Sequence, residues 1–257
     1  FREFWDLIIV DECHRCVGTP TKMTMFWKVV NSLSARHKFG LTATPKRSDG
    51  MEKAMFALLG PKFHEITKQE VAQSTVPLKV NQPIRTGWMP NYDEILNPDG
   101  TLNYTSLITD CINDKHRNAI IASAINEASK DGPTLVLSER DAHLQTLSEM
   151  CECTTGNLSG AKKSERNGLI SRVISGDVRV MFATYAIAKE GLDIPNLKHL
   201  VMASPIKEDI AVTQSAGRVM RAYNGKEFGT IWDFEDDMPM LRKWLRKRLS
   251  IYEKVTK

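Results

Sequence analysis

At 257 residues with 42% apolar content, the chain is long enough to bury a sizeable core in one large or two modest domains. It has no run of about eighteen uncharged apolar residues, and Phe1-Arg2-Glu3-Phe4-Trp5 has neither the basic start nor the cleavage site of a secretory signal, so a cytoplasmic location is expected rather than a membrane or exported one. The formal charge of +4 conceals an asymmetry: residues 240–257 carry seven Lys or Arg against Glu253 alone, which leaves the rest of the chain slightly acidic.

Residues 5–10 form an apolar run bounded by polar residues, the pattern of a buried parallel strand. A doubly wound sheet does not normally open with such a strand running straight into acidic residues, so the chain is expected to start inside a domain. Cys13 and Cys16 then form a C-x-x-C pair. A zinc site needs a second pair at matching spacing, which Cys111, Cys151 and Cys153 do not provide, and five scattered cysteines make no disulfide framework. A helix is predicted over about 23–33, a short strand at 39–42, and a helix from about 50 to 59 stopped by Gly60-Pro61. Strand-like pieces lie near 63–66 and 78–84. Residues 86–102 hold two prolines and two glycines without sustained periodicity, so a linker and a domain boundary are expected there. The implied division is 1–85, a linker at 86–103, and a second domain at 104–257.

From residue 104 onward, strands at 134–138, 178–183, 197–203 and 229–234 alternate with amphipathic helices such as 142–150, 164–174 and 210–220. This alternation predicts a parallel α/β sheet with helices on both faces. In residues 238–252, Leu241, Leu245 and Leu249 recur every four positions with Trp244 and Tyr252 alongside, while Arg242, Lys243, Arg246, Lys247 and Arg248 occupy other faces. That pattern is a helix laying one stripe on the second domain, with a basic face turned either to phosphates or to water.

Four short motifs carry chemistry. Asp11-Glu12-Cys13-His14 puts two carboxylates at the end of a buried strand, where open α/β sheets place ligands. One carboxylate can hold Mg²⁺ through its water shell while its neighbour polarises an attacking water, the division of labour that phosphate-ester hydrolysis needs. Thr42-Ala43-Thr44-Pro45 places two hydroxyls on a tight turn, suited to relaying a change at the carboxylates. Thr184, and then Gly191 and Asp193 in Lys189-Glu190-Gly191-Leu192-Asp193-Ile194-Pro195, follow a strand; Thr184 can hold a phosphate of a bound strand, and Asp193 can bond a hydroxyl such as a ribose. In Gln214-Ser-Ala-Gly217-Arg218-Val-Met-Arg221 the spacing i, i+4, i+7 puts Gln214, Arg218 and Arg221 on one helix face, with Gly217 leaving room for close approach. Two guanidiniums on one face call for an anion between them, and a triphosphate suits their planar forks. The alternative is that both pair with acids such as Asp236 or Asp237.

In this order and spacing the motifs resemble the superfamily 2 helicases of the DEAD/DEAH-box kind, and in particular phage and prophage helicases with a restriction-enzyme-type ATPase domain. Asp11 to His14 resemble motif II, Thr42-Ala43-Thr44 motif III, Thr184 with Glu190 to Asp193 motif V, and Gln214 to Arg221 motif VI. Residues 135–138 followed by Leu158-Ser159-Gly160 are similar to the motif IV region. The resemblance implies an α/β fold of RecA-like (P-loop NTPase type) parallel sheets, one partial and one complete, in a motor with ATP in the cleft between two such domains. Asp11 would position Mg²⁺, Glu12 would activate water, and Arg218 and Arg221 would reach the triphosphate, with His14, Thr42, Thr44, Gly191, Asp193, Gln214 and Gly217 binding or coupling. Ser138, Arg140, Ser159, Gly160 and Thr184 would meet nucleic acid, with DNA favoured over RNA.

One departure stands out: no G-x-x-x-x-G-K-[ST] phosphate loop occurs in the chain. A partner portion carrying that loop is therefore expected, and the chain alone is expected to be inactive as an ATPase. A catalytically inert nucleic-acid-binding module and an RNA-directed helicase are the competing readings.

Overall fold

The computed structural model describes residues 4–19, 21–42, 50–67, 70, 74–189 and 192–256. Thr44, Glu190 and Gly191, named above, lie outside them. The chain divides into two compact units, residues 1–68 and 69–257.

In the first unit, β1 (Trp5–Val10) pairs in parallel with β2 (Ala35–Gly40), from Trp5↔Ala35 through Val10↔Gly40. Between them runs α1 (Met25–Ser32), started by Thr24, whose hydroxyl accepts the Trp27 N–H. α2 (Glu52–Leu59) follows β2 and ends at Gly60. Val10, Cys13, Cys16, Val17, Val30 and Met55 form the core on one sheet face. Packing there is close enough that a Cβ at Gly40 would come within 2.8 Å of Cys13 Sγ and Leu59 Cδ1. The expectation of a strand buried on both sides is corrected. The alternate residues Trp5, Leu7 and Ile9 are 46%, 47% and 58% exposed, and Phe39, level with Ile9, is 40% exposed. Period-2 alternation sends Ile8 and Val10 into the core and these side chains the other way. Residues 63–66 form no strand, and Phe63 and Ile66 are exposed.

The second unit is built on a six-stranded, wholly parallel sheet. In spatial order its strands are β3 (Leu78–Val80), β9 (Gly229–Trp232), β8 (His199–Met202), β5 (Thr134–Ser138), β7 (Val180–Thr184) and β6 (Thr155–Asn157). A parallel pair, β4 (Ile84–Arg85) with β10 (Phe234–Glu235), lies beside it. Strand residues alternate between two cores, as the pleat requires. Leu135, Leu137, Met181, Leu200 and Ile231 pack with α7 (Lys163–Ser175), α8 (Tyr185–Lys189), α9 (Asp209–Val219) and α10 (Pro239–Thr256), through Val173, Ala188, Val212, Val219 and Tyr252. Val136, Val180, Phe182 and Val201 pack on the other face, with Ile121 and Ile125 of α5 (Lys115–Asp131) and Leu144 and Leu147 of α6 (Asp141–Glu149). Helices on both faces of a parallel sheet are the predicted arrangement.

The boundary at 86–103 is corrected. β3 and β4 pair with β9 and β10, so both belong to the second unit. The proline- and glycine-bearing segment is also not a linker. It carries a short helix, α3 (Tyr92–Ile95), and buries Trp88 and Ile95 against α10 and against Leu107 and Cys111 of α4 (Tyr104–Asn113). Two large apolar side chains separated by turns leave no period to read, yet they anchor the segment.

The basic C-terminal helix differs in its charges as well. Arg248 is buried and pairs with Asp233 at 2.7 Å, while its Nη1 donates to the Ile206 carbonyl at 3.2 Å. Arg242 is bound to Glu235 and Asp237, and Lys247 to Asp209 at 2.6 Å. Among its central cations, Lys243 and Arg246 are the exposed pair for which no partner is recorded among the described residues. No helix among the described residues is long and apolar enough to cross a membrane.

Candidate nucleotide and nucleic-acid sites

In the first unit the acidic turn leaves β1 at its carboxyl end. Glu12 adopts a left-handed conformation, φ 48° and ψ 44°, the one described non-glycine residue at positive φ. That geometry is uncommon for a glutamate and marks a held position. Its N–H donates to Asp11 Oδ1 at 2.8 Å, and the turn is tied to β2 by the Cys13 N–H on the Leu41 carbonyl at 2.9 Å. His14, almost fully buried, has Nδ1 2.8 Å from Thr42 Oγ1 and 3.3 Å from Glu12 Oε2. Thr42 Oγ1 and Glu12 Oε2 therefore both approach the same ring nitrogen, which brings the acidic turn beside the first threonine of the predicted relay. No group of three or more His, Cys, Asp or Glu suited to hold a metal occurs among the described residues. One exposed aspartate with a glutamate beside it fits magnesium, which keeps waters and takes substrate phosphate oxygens as ligands, rather than an all-protein cage.

In the second unit, motif residues gather at two places. α9 ends at Val219, so Arg218 is its last turn and Arg221 lies beyond it, in a bridge with Thr75. The expected single face carrying both arginines is not formed. Arg218 is buried and donates to the Leu192 and Ala188 carbonyls, and burial, reinforced by the charge of Arg221, lowers its pKa. Arg221 stays half exposed and pairs with Asp193. The proposed acid partners are otherwise engaged: Asp236 holds Arg117 at 2.8 Å and Asp237 holds Arg242. Asp193 is thus placed against a guanidinium. A Cβ at Gly217 would meet nothing within 4 Å, so packing within the unit does not demand glycine there. Lys226, half-buried near Arg221, donates to the Arg221 carbonyl at 2.8 Å, and its pKa is pushed down to about 8 by burial and then by the charge of Arg221.

The second cluster lies at the carboxyl ends of β5, β6 and β7. The Thr184 N–H donates to Ser159 Oγ at 3.0 Å, and Gly160 beside it would leave an added Cβ in open space. Ser138 is fully buried, unlike the exposed Arg140. His143 Nε2 lies 3.0 Å from Asn118 Oδ1, an acceptor, so its Nδ1 accepts the Ser138 hydroxyl at 2.9 Å. Burial, and then the charge of Arg117, holds the His143 pKa down to about 3, so the ring is neutral. Ser138 fixes the strand end through this relay and does not face outward. At the same edge a cavity of about 370 Å³ is lined by Tyr104, Glu139, Thr184, Tyr185, Lys189 and Lys207, among others. Tyr104, Glu139 and Lys207 were not legible in the sequence: each sits outside a motif, and only the sheet order brings them together.

The comparisons with known proteins come down on the same side. Residues 115–223 match the family described as "Helicase conserved C-terminal domain", and residues 1–47 match "Type III restriction enzyme, res subunit". A protein of Sulfolobus islandicus filamentous virus named helicase 22 is 28% identical, over 96% of this chain and 45% of its own length. The ATP-dependent DNA helicase uvsW of phage T4 is 24% identical over 90% and 46%. A protein of Acanthamoeba polyphaga mimivirus named as an ATP-dependent RNA helicase is 26% identical over 99% and 48%. The chain spans about half the length of these relatives. Among solved structures, that of T4 UvsW superposes with a TM-score of 0.55 at 21% identity, covering 98% of this chain and 52% of that one. The DNA-bound Type ISP restriction-modification enzyme LlaBIII gives 0.64 at 15%, covering 99% and 20%.

The wholly parallel sheet with its flanking helices is therefore the RecA-like fold of the helicase C-terminal domain. In these matches the chain is similar to superfamily 2 helicases, phage and viral proteins among them.

Proposed function

We propose that this chain provides the hydrolytic carboxylates, the arginines and part of the strand-binding edge of an ATP-dependent DNA helicase or translocase, and that a polypeptide portion carrying the phosphate loop completes it. The observation that carries this reading is the acidic turn, in which Glu12 is held in a left-handed conformation with its carboxylate 3.3 Å from the His14 nitrogen that bonds Thr42. Magnesium and ATP together would supply the electrophilic phosphate, with Asp11 the residue to hold the ion. Glu12 is the base that takes the proton of the attacking water. Thr42 bonds the same His14 nitrogen that the carboxylate faces, so a change of charge at Glu12 is felt there. Arg221, more exposed than Arg218, is the arginine free to exchange Asp193 for an anionic phosphate. Arg218 holds the Leu192 and Ala188 carbonyls, and so fixes the residue before Asp193.

DNA is taken as the strand because the phage T4 relative is named a DNA helicase, and the mimivirus relative, named an RNA helicase, makes RNA the competing strand. Absence of the G-x-x-x-x-G-K-[ST] loop from these 257 residues favours an isolated chain that does not turn over ATP. The test is ATP hydrolysis by the purified chain with single-stranded DNA, double-stranded DNA and matched RNA, alongside gel shifts with the same strands. Binding of DNA over RNA without turnover is the expected result; vigorous turnover by the chain alone would sink the proposal.

A further inference from the structure

In chain order β5 is followed by β6 and β7 on one side of it and by β8 and β9 on the other. The connections diverge beside β5, and the crevice outside the carboxyl ends of the strands at such a switch is where open α/β sheets seat ligands. The cavity of about 370 Å³ lies there, walled by residues that follow β5, β7 and β8.

Its lining combines an aromatic ring with polar and charged groups. Tyr104, the first residue of α4, is 39% exposed and backed by Trp244 with ring centroids 5.8 Å apart. The Tyr104 hydroxyl donates to Glu139 Oε1 at 2.5 Å, and the Glu139 N–H donates to Ser204 Oγ at 2.8 Å, so the ring is pinned at its free end and at its back. The lining also includes Thr184, whose neighbour across the strand pair is Ser138, and the exposed Lys207. Glu208, the second acid of the wall, is paired with Lys189, whereas Glu139 bears its charge beside Tyr104. Thr184 offers a hydroxyl and Lys207 a cation to a phosphate, while a flat apolar face finds its platform at Tyr104.

We propose that this cavity seats one nucleotide of a bound single strand, with its base stacked on Tyr104 and its phosphate held between Thr184 and Lys207. The inference rests on the nucleic-acid reading above and adds to it a base-contacting residue outside every motif.

The test is anisotropy binding of a fluorescent single-stranded DNA to the full chain over a salt series. Tyr104→Leu, which keeps apolar contact with Trp244 but removes the aromatic face, is expected to weaken binding about tenfold with the salt slope unchanged. Tyr104→Phe should stay within about twofold. Lys207→Gln should instead reduce the magnitude of the log–log salt slope by about 0.7, the loss of one phosphate contact. A strand carrying one abasic position, moved stepwise along the DNA, needs no change in the protein and should lose about tenfold affinity at one register. Unaltered binding by Tyr104→Leu, or equal tolerance of the abasic position everywhere, overturns this inference while leaving the broader reading intact. Failure of the unaltered chain to bind any strand overturns both.

Discussion

Arg218 and Arg221 are three positions apart and are held in opposite ways. Arg218 is buried, with two carbonyl oxygens as its partners, whereas Arg221 reaches an aspartate across a half-exposed surface. Leaving buried acceptors without a donor costs about 1–3 kcal/mol, while an exposed ion pair contributes between about 0 and 1. Arg218→Met should therefore lower the unfolding free energy by about 2 kcal/mol in a denaturant titration, and Arg221→Ala by less than about 0.5. In an assembled ATPase the order reverses, with Arg221→Ala giving the larger loss of turnover. Of these two residues the sequence made the charge and the spacing legible. It did not show that the helix stops at Val219, since Met220 and Arg221 continue the helical period and only the bridge to Thr75 takes the chain away.

At the scale of elements, the strands of the second unit were the most legible part. Residues 134–138 match β5 to the residue, because a continuous apolar run between turns admits little else. α5 was missed as an element, and α4 with it. The short β6, Thr155–Asn157, contains a glycine and an asparagine and has no strand signature. The C-terminal helix teaches a further point. Its apolar stripe was legible, but its basic side chains are divided by partners that lie far away in sequence. Arg248 belongs to a buried network in which Asp233 also accepts the Tyr252 hydroxyl at 2.9 Å. Removing one member of a buried pair costs about 3–5 kcal/mol, so Arg248→Met should unfold at markedly lower denaturant than Lys243→Ala, which should match the unaltered chain. If the helix contacts DNA through Lys243 and Arg246, replacing both with Ala should reduce the magnitude of the salt slope for single strands by at most about 1.4.

At the scale of the whole molecule, two buried histidines tie stability to pH. Burial is the leading cause for both, and it lowers His143 from 6.5 to about 3 and His199 from 6.5 to about 4. Below pH 6.5 the unfolded chain takes up protons that the folded rings refuse, so stability is full above that value and falls as pH drops through the window between about 6.5 and 3. Thermal melts across that range should show a falling midpoint, and His143→Gln should flatten the dependence; a midpoint that rises on acidification would contradict the burial. The sheet order, the boundary at residue 68 and the cavity beside Thr184 are properties of this scale, and none could be read from local patterns. The motifs are local in sequence and so could be proposed from it, but their short spacing does not fix what each of those residues touches.

The central claim is that this chain holds the hydrolytic centre of a motor whose phosphate loop lies on another portion. Its most direct test is nucleic-acid-stimulated ATP turnover by the chain alone and by the chain joined behind a phosphate-loop-bearing segment from a phage relative. The account predicts background turnover for the chain alone, DNA-stimulated turnover for the joined protein, and a loss of at least about 100-fold in the joined Glu12→Gln variant. Turnover by the chain alone, or a joined protein indifferent to Glu12→Gln, would contradict it.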